Sequence, residues 1–200
     1  MGAKPFMTIN SMHGDRTSLI EMHKLWSDCH ECKLGTTATC HVLGRGEFPC
    51  EVIFIGEGPG QSEDATGYPF VGKAGKLLDH WIGNARYTNP FSYAVTNLVA
   101  CRPTDEEGRN RPPSADEIYH CQPRLSHFIE MCCADGVVLL GRVAQVQVPW
   151  LQKNFSELRL LYLPHPAYVL RLGGKKSDAS GKAIRDLRSF IELIGKPDER

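Results

Sequence analysis

Two hundred residues, 42% hydrophobic and 23% charged, suffice to bury a sizeable core, and the default is one domain over 1–200. Formal net charge is zero, so no global field draws the chain onto nucleic acid, and any such contact must come from a local patch. The opening "MGAKPFMTINSMHGDR" has no continuous apolar core and no run is long enough to cross a bilayer. The expectation is a cytoplasmic chain without membrane contact, with residues 1–14 a poorly ordered leader.

Residues 15–28 place Leu19, Ile20, Met22, Leu25 and Trp26 at helical spacing, ending at the turn "CHEC". "EVIFI" is a short, continuous, β-branched apolar run and reads as a buried strand. A glycine-rich loop follows, and then Leu77, Leu78, Trp81 and Ile82 repeat as a helix. "SYAVTNLVA" (92–100) is the next strand. Ser114 with Glu117 forms a capping-box signature opening a helix toward Met131, with a bend expected at Pro123. "GVVLLG" is a third strand, followed by a short helix, and "LRLLYLP" is a fourth. Ala183, Ile184, Leu187, Phe190, Ile191 and Ile194 close the chain as a helix. Alternating strands and helices predict an α/β fold: a three-layer α/β/α sandwich around a mostly parallel four-stranded sheet.

Such folds bind ligands beyond the carboxyl ends of their strands, and three of those ends carry chemistry: "GEGPG", "TN" and "HP". The stretch "GEGPGQSEDATGYPFVGKAGKLLD" first invites a phosphate-loop reading. "GYPFVGKA" supplies G-x4-G-K but ends in Ala74 where a Mg²⁺-binding Ser or Thr is needed, and Pro69 and Phe70 spoil a nest of free N–H groups. "GEGPG" misses G-x-G-x-x-G, because its third glycine falls one place early and Pro59 removes a donor. A pocket for a flat ring suits the residues better. Gly56 and Gly58 permit close backbone approach, Phe70 offers an aromatic face, and Glu57, Glu63 and Asp64 bring carboxylates.

Eight cysteines in a cytosolic chain point to metal or catalysis rather than disulfides. Cys29 and Cys32 form a C-x2-C pair that needs two more ligands from Cys40, Cys50, Cys101, Cys121, Cys132 and Cys133. The one basic segment runs from Arg171 to Arg188. There Arg171, Lys175, Lys176, Lys182, Arg185 and Arg188 outnumber Asp178 and Asp186, as on a solvated helix face or a local DNA-binding patch.

The glycine-rich stretch resembles the first motif of the family 4, iron–sulfur uracil-DNA glycosylases, matching G-E-x-P-G-x-x-E-D-x-x-G-x-P-F-V-G-x-A-G at every specified position. "TNLVACRP", "HCQP" and "HPAYVLR" resemble the later blocks, so the likeness covers roughly residues 26–172. The resemblance implies a structural [4Fe–4S] cluster on Cys29, Cys32, Cys101 and Cys121, with tetrahedral zinc on the same thiolates as the alternative. The other four cysteines are then spare, and small buried thiols are expected of them.

The resemblance also implies a monofunctional hydrolase that removes uracil from single- or double-stranded DNA, leaves an abasic site and acts as a monomer. Phe70 would stack on uracil, Asn97 would read its O4 and N3, and His165 would donate to O2 as charge builds there. Glu57 would orient water or stabilise the cationic sugar, and Glu63 would close the pocket near C5, although either carboxylate could handle the water. Leu170 and Arg171 resemble the loop that wedges into the duplex and touches phosphate. The competing reading is a non-catalytic DNA-binding or replication-associated member of the same superfamily. One departure stands out: "RPTDEEGRNRPPS" is long and acidic beside an expected DNA path, where acidic residues weaken binding.

Overall fold

The computed structural model describes residues 17–195; the expected leader, 1–14, lies outside them. Strands β1 (Arg45–Gly46), β2 (Val52–Gly56), β3 (Tyr93–Asn97), β4 (Gly136–Leu140) and β5 (Arg159–Leu163) form one sheet in the order β1-β3-β2-β4-β5. The pairs β2–β3, β2–β4 and β4–β5 are parallel. The expectation of four strands is corrected to five, because β1 adds an antiparallel edge to β3. It has two residues, Arg and Gly, and so carries no apolar alternation to betray it.

The helices are α1 (Thr17–Trp26), α2 (Gln61–Thr66), α3 (Lys73–Thr88), α4 (Ala115–Cys132), α5 (Arg142–Gln145), α6 (Val148–Asn154), α7 (Pro166–Arg171) and α8 (Asp178–Ile194). The period of two along β2 sends Ile53 and Ile55 to one face, where they pack with Met22 of α1, Leu125, Phe128 and Ile129 of α4, and Leu151 of α6. Val52 and Phe54 point the other way, onto Leu77, Leu78 and Trp81 of α3, Val169 of α7 and Leu187 and Ile191 of α8. Both faces are therefore covered, which is why β2 and β4 read as unbroken apolar runs. Each large aliphatic or aromatic side chain so buried contributes roughly 1.5–3 kcal/mol. Trp81 also donates its Nε1–H to Ser180 Oγ at 2.7 Å, tying α3 to α8 with its one polar atom satisfied.

The capping box at Ser114 forms as the sequence predicts, with Ser114 Oγ accepting from Glu117 N and Glu117 Oε2 accepting from Ser114 N. The helix runs on through Pro123 to Cys132, one residue past the expected Met131. The short helix expected after β4 is two, α5 and α6.

Candidate active site and cysteine site

The carboxyl ends of β2, β3 and β5 converge on a cavity of about 780 Å³. Glu57, Gly58, Glu63, Phe70, Asn97, His165 and Arg171 all line it. The parallel register sets Gly56 beside Asn97 as the last β2–β3 pair, so the strand ends arrive level. Asn97, 2% exposed, ends β3 and lines the cavity. Gly56 stands behind the wall: a Cβ there would strike Asn97 Oδ1 and lie 2.5 Å from Phe70 Cζ. Leu170 sits outside the lining, on α7, at 36% exposure.

Phe70 has φ 56, a left-handed conformation that costs a side-chain-bearing residue about 1–2 kcal/mol. Its surroundings enforce that geometry. Glu63 Oε1 accepts from the next two backbone N–H groups, Val71 at 2.9 Å and Gly72 at 2.8 Å, while Oε2 accepts from Gly60 N at 3.1 Å. Arg45 Nε donates to Pro69 O at 3.0 Å from the β1 edge. Gly75 lies so close to the Phe70 carbonyl that no Cβ would fit. The Phe70 ring faces His165 with centroids 6.1 Å apart and planes at 33°. Glu63 thus spends its carboxylate on three backbone donors, an organising role that the sequence alone does not reveal.

Glu57 has no such partners to hold its charge, and burial pushes its pKa above the usual carboxylate value. His165 caps α7, with Nδ1 accepting from Ala167 N at 3.2 Å. That bond requires a bare Nδ1, so the neutral ring carries its proton on Nε2. Burial, aided by the charge of Arg171, lowers the His165 pKa and favours this neutral form. Arg171 lies 5.6 Å from the Tyr168 ring centroid, within cation–π range.

The acidic loop resolves into a wall of the same cavity. Thr104 bridges Asn110, and Asn110, Arg111 and Pro112 reach the lining. Two of its three carboxylates are matched locally, Asp105 and Glu107 pairing with Arg109, and its Arg111 forms two bonds with Glu117 of α4, at 2.6 and 2.8 Å. The basic segment is likewise partly occupied, since Lys182 pairs with Asp186 and Arg188 donates to Asn84 O.

On the α1–α4 side of the sheet, Cys29 and Cys32 lie in the turn between α1 and a 3-10 turn (Lys33–Thr36), Cys101 lies just beyond β3, and Cys121 is in α4. Burial pushes the Cys101 thiol up to about 12, with Cys121, Cys32 and Cys29 adding to the shift. Cys32 is raised by burial and by Cys121 and Cys29. Four thiols drawn from three parts of the chain therefore face one volume. Among the described residues, no three ligating side chains crowd closely enough to hold a single metal ion. As a donor set, four thiols suit a cluster in which each thiolate takes its own iron, and they suit tetrahedral zinc as well. Of the remaining cysteines, Cys50 and Cys132 are buried as expected, but Cys133 is exposed at the α4 C-cap, with φ 46.

Residues 43–188 match the family model described as the uracil DNA glycosylase superfamily. A type-4 uracil-DNA glycosylase of Archaeoglobus fulgidus is 38% identical over 186 residues, covering 84% of this chain and 89% of the relative. One of Thermotoga maritima is 33% identical over 182 residues, covering 84% and 91%. With a type-4 enzyme of Saccharolobus solfataricus the identity is 42% over 114 residues, a match that spans about half of that relative (51%). The chain belongs to the uracil DNA glycosylase superfamily. Within it, these relatives set the chain in the type-4 branch.

Proposed function

We propose that the chain, as a single domain and a monomer in the cytoplasm, hydrolyses the N-glycosidic bond of uracil in DNA and leaves an abasic site. The observation that carries this reading is the hydrogen bond from Ala167 N to His165 Nδ1 at 3.2 Å. With Nδ1 held by Ala167 N, its Nε2–H is the donor left for the cavity, where Asn97 and Phe70 converge.

The uracil, turned out of the stack, lies on the Phe70 ring. Asn97 donates to O4 and accepts from N3–H; cytosine presents the opposite pattern at both positions and is refused. Uracil leaves as an anion, and His165 Nε2–H steadies the charge gathering on O2. Glu57, at the end of β2, orients the attacking water or balances the cationic sugar. Glu63 shapes the wall near C5 through the loop it holds. Leu170 and Arg171 meet the duplex, and pairing with Arg109 keeps Asp105 and Glu107 of the 102–114 loop from opposing phosphate.

Cys29, Cys32, Cys101 and Cys121 would hold a [4Fe–4S] cluster. Through these four residues it would cross-link the N-terminal segment, the loop after β3 and α4, a structural role. Incubation with an end-labelled oligonucleotide carrying one uracil, followed by alkali, tests the activity: cleavage at the uracil is expected. No break above a protein-free control overturns it.

A further inference from the structure

Arg124 is 2% exposed in the middle of α4, an unusual place for a guanidinium. Its bonds go to neutral acceptors and to sulfur. Nη1 donates to Thr96 Oγ1 at 2.8 Å, Nη2 to the carbonyls of Asn97 (2.6 Å) and Leu98 (2.8 Å), and Nη2 also approaches Cys121 Sγ at 3.7 Å. Its Nε is buried without a partner. A buried cation needs compensating negative charge, and carbonyl dipoles alone are weak compensation. The cysteine site is one such source in direct reach, since four thiolates on a cubane cluster would leave a net anion. Cys101 also feels the charge of Arg124, so the guanidinium lies within electrostatic reach of two of the four thiols.

We propose that Arg124 is a positioning residue coupling the cysteine site to the base pocket: its Nη2 grips the carbonyls of Asn97 and Leu98 and also approaches Cys121 Sγ, so that the charge of the occupied site fixes the amide that reads the base. This rests on the cluster and glycosylase readings above. Without the anion, the cation at the end of β3 is uncompensated, and the strand end carrying Asn97 loses its anchor. Without Arg124, two strand-end carbonyls and the anionic site lose their shared donor.

The test is a double-mutant cycle on the iron-loaded full chain, reading single-turnover excision, KM for uracil-containing DNA, and bleaching of visible absorbance by a chelator. Arg124→Met is expected to cut kcat at least about tenfold with KM within about threefold of wild type. That loss is expected to vanish in an Asn97→Ala background, and bleaching is expected to quicken severalfold. Wild-type kcat, an equal loss in both backgrounds, or bleaching at the wild-type rate would each overturn the proposal. If Arg124→Met does not fold, Arg124→Lys serves, since it keeps the charge but one ammonium cannot span both carbonyls and Thr96. A partial loss confined to the Asn97 background supports the coupling, and a loss independent of Asn97 overturns it. A wild-type protein lacking iron or uracil excision removes the underlying reading and this proposal with it, whereas a brown, active wild type isolates the question to Arg124.

Discussion

Gly56 and Asn97 pair at the very end of the β2–β3 register, and the space between them has no room for one methyl group. A Cβ on Gly56 would displace both Asn97 Oδ1 and the Phe70 ring. Gly56→Ala should therefore injure base reading more than folding. Overpacking costs about 1–3 kcal/mol of stability, whereas excision is expected to fall about 10²-fold, because small misplacements of reacting groups are costly. Single-turnover assays beside thermal melts check this; unchanged excision would mean that Asn97 does not read the base.

The two acidic side chains of the first motif should separate cleanly. Glu63 holds three backbone N–H groups and Glu57 holds none of that network. Glu63→Ala is expected to lower stability by about 2–4 kcal/mol, the scale of losing hydrogen bonds to a charged acceptor. Glu57→Gln is expected to melt within a degree or two of wild type while losing about 10²–10³ in kcat. The reverse pattern would exchange the two roles.

The pH–rate profile follows from two opposite shifts. Burial raises Glu57 above its usual 4.5, and its carboxylate form is the active one. Burial and Arg171 lower His165 below 6.5, and protonating Nδ1 would break the bond from Ala167 N. With both groups required unprotonated, the acid limb of kcat/KM is expected above pH 4.5, and Glu57→Gln is expected to move it. A limb below pH 4.5 contradicts the Glu57 assignment.

His165 also makes the native state pH-sensitive. Its folded pKa lies below the unfolded one, so between the two values the unfolded chain binds more protons. Stability is whole above about pH 6.5 and declines as pH falls through that value toward the lower folded pKa. Melting temperatures of wild type and His165→Gln should diverge from their neutral-pH difference only below pH 6.5, with wild type losing more. Parallel curves would show that the ring does not titrate as described.

Iron content discriminates among the eight cysteines. Purified protein should be brown, and Cys101→Ser should lose colour and iron together. Cys50→Ser and Cys133→Ser should keep both, since neither thiol is among those acting on Cys101. Colourless wild-type protein carrying zinc would replace the cluster with a zinc site.

The parallel strands were legible because burial on both faces leaves no polar alternation, and the Ser114 cap because its signal is local in sequence. The hidden parts depend on distant partners. Helix α2, "QSEDAT", has no apolar stripe, and two of its carboxylates are buried against backbone donors from other segments. Arg124 reads as an ordinary surface cation of a long helix until β3 is laid beside it. The placement of Asn97 and His165 at one cavity follows the strand ends, which sequence can locate, whereas Phe70 arrives from the loop between α2 and α3. The cavity wall from Asn110 and Arg111 comes from a loop whose path no periodicity encodes.

The three bonds on Glu63 also determine when conformational entropy is lost. The backbone from Gly60 to Gly72 is tied down as the chain folds, not when a nucleotide arrives. If the proposed function holds, an extruded base would meet a slot already set, and little of the binding free energy would go into ordering the loop. The energy of duplex contact would be left for unstacking the base, the step in which a damaged nucleotide differs most from a sound one.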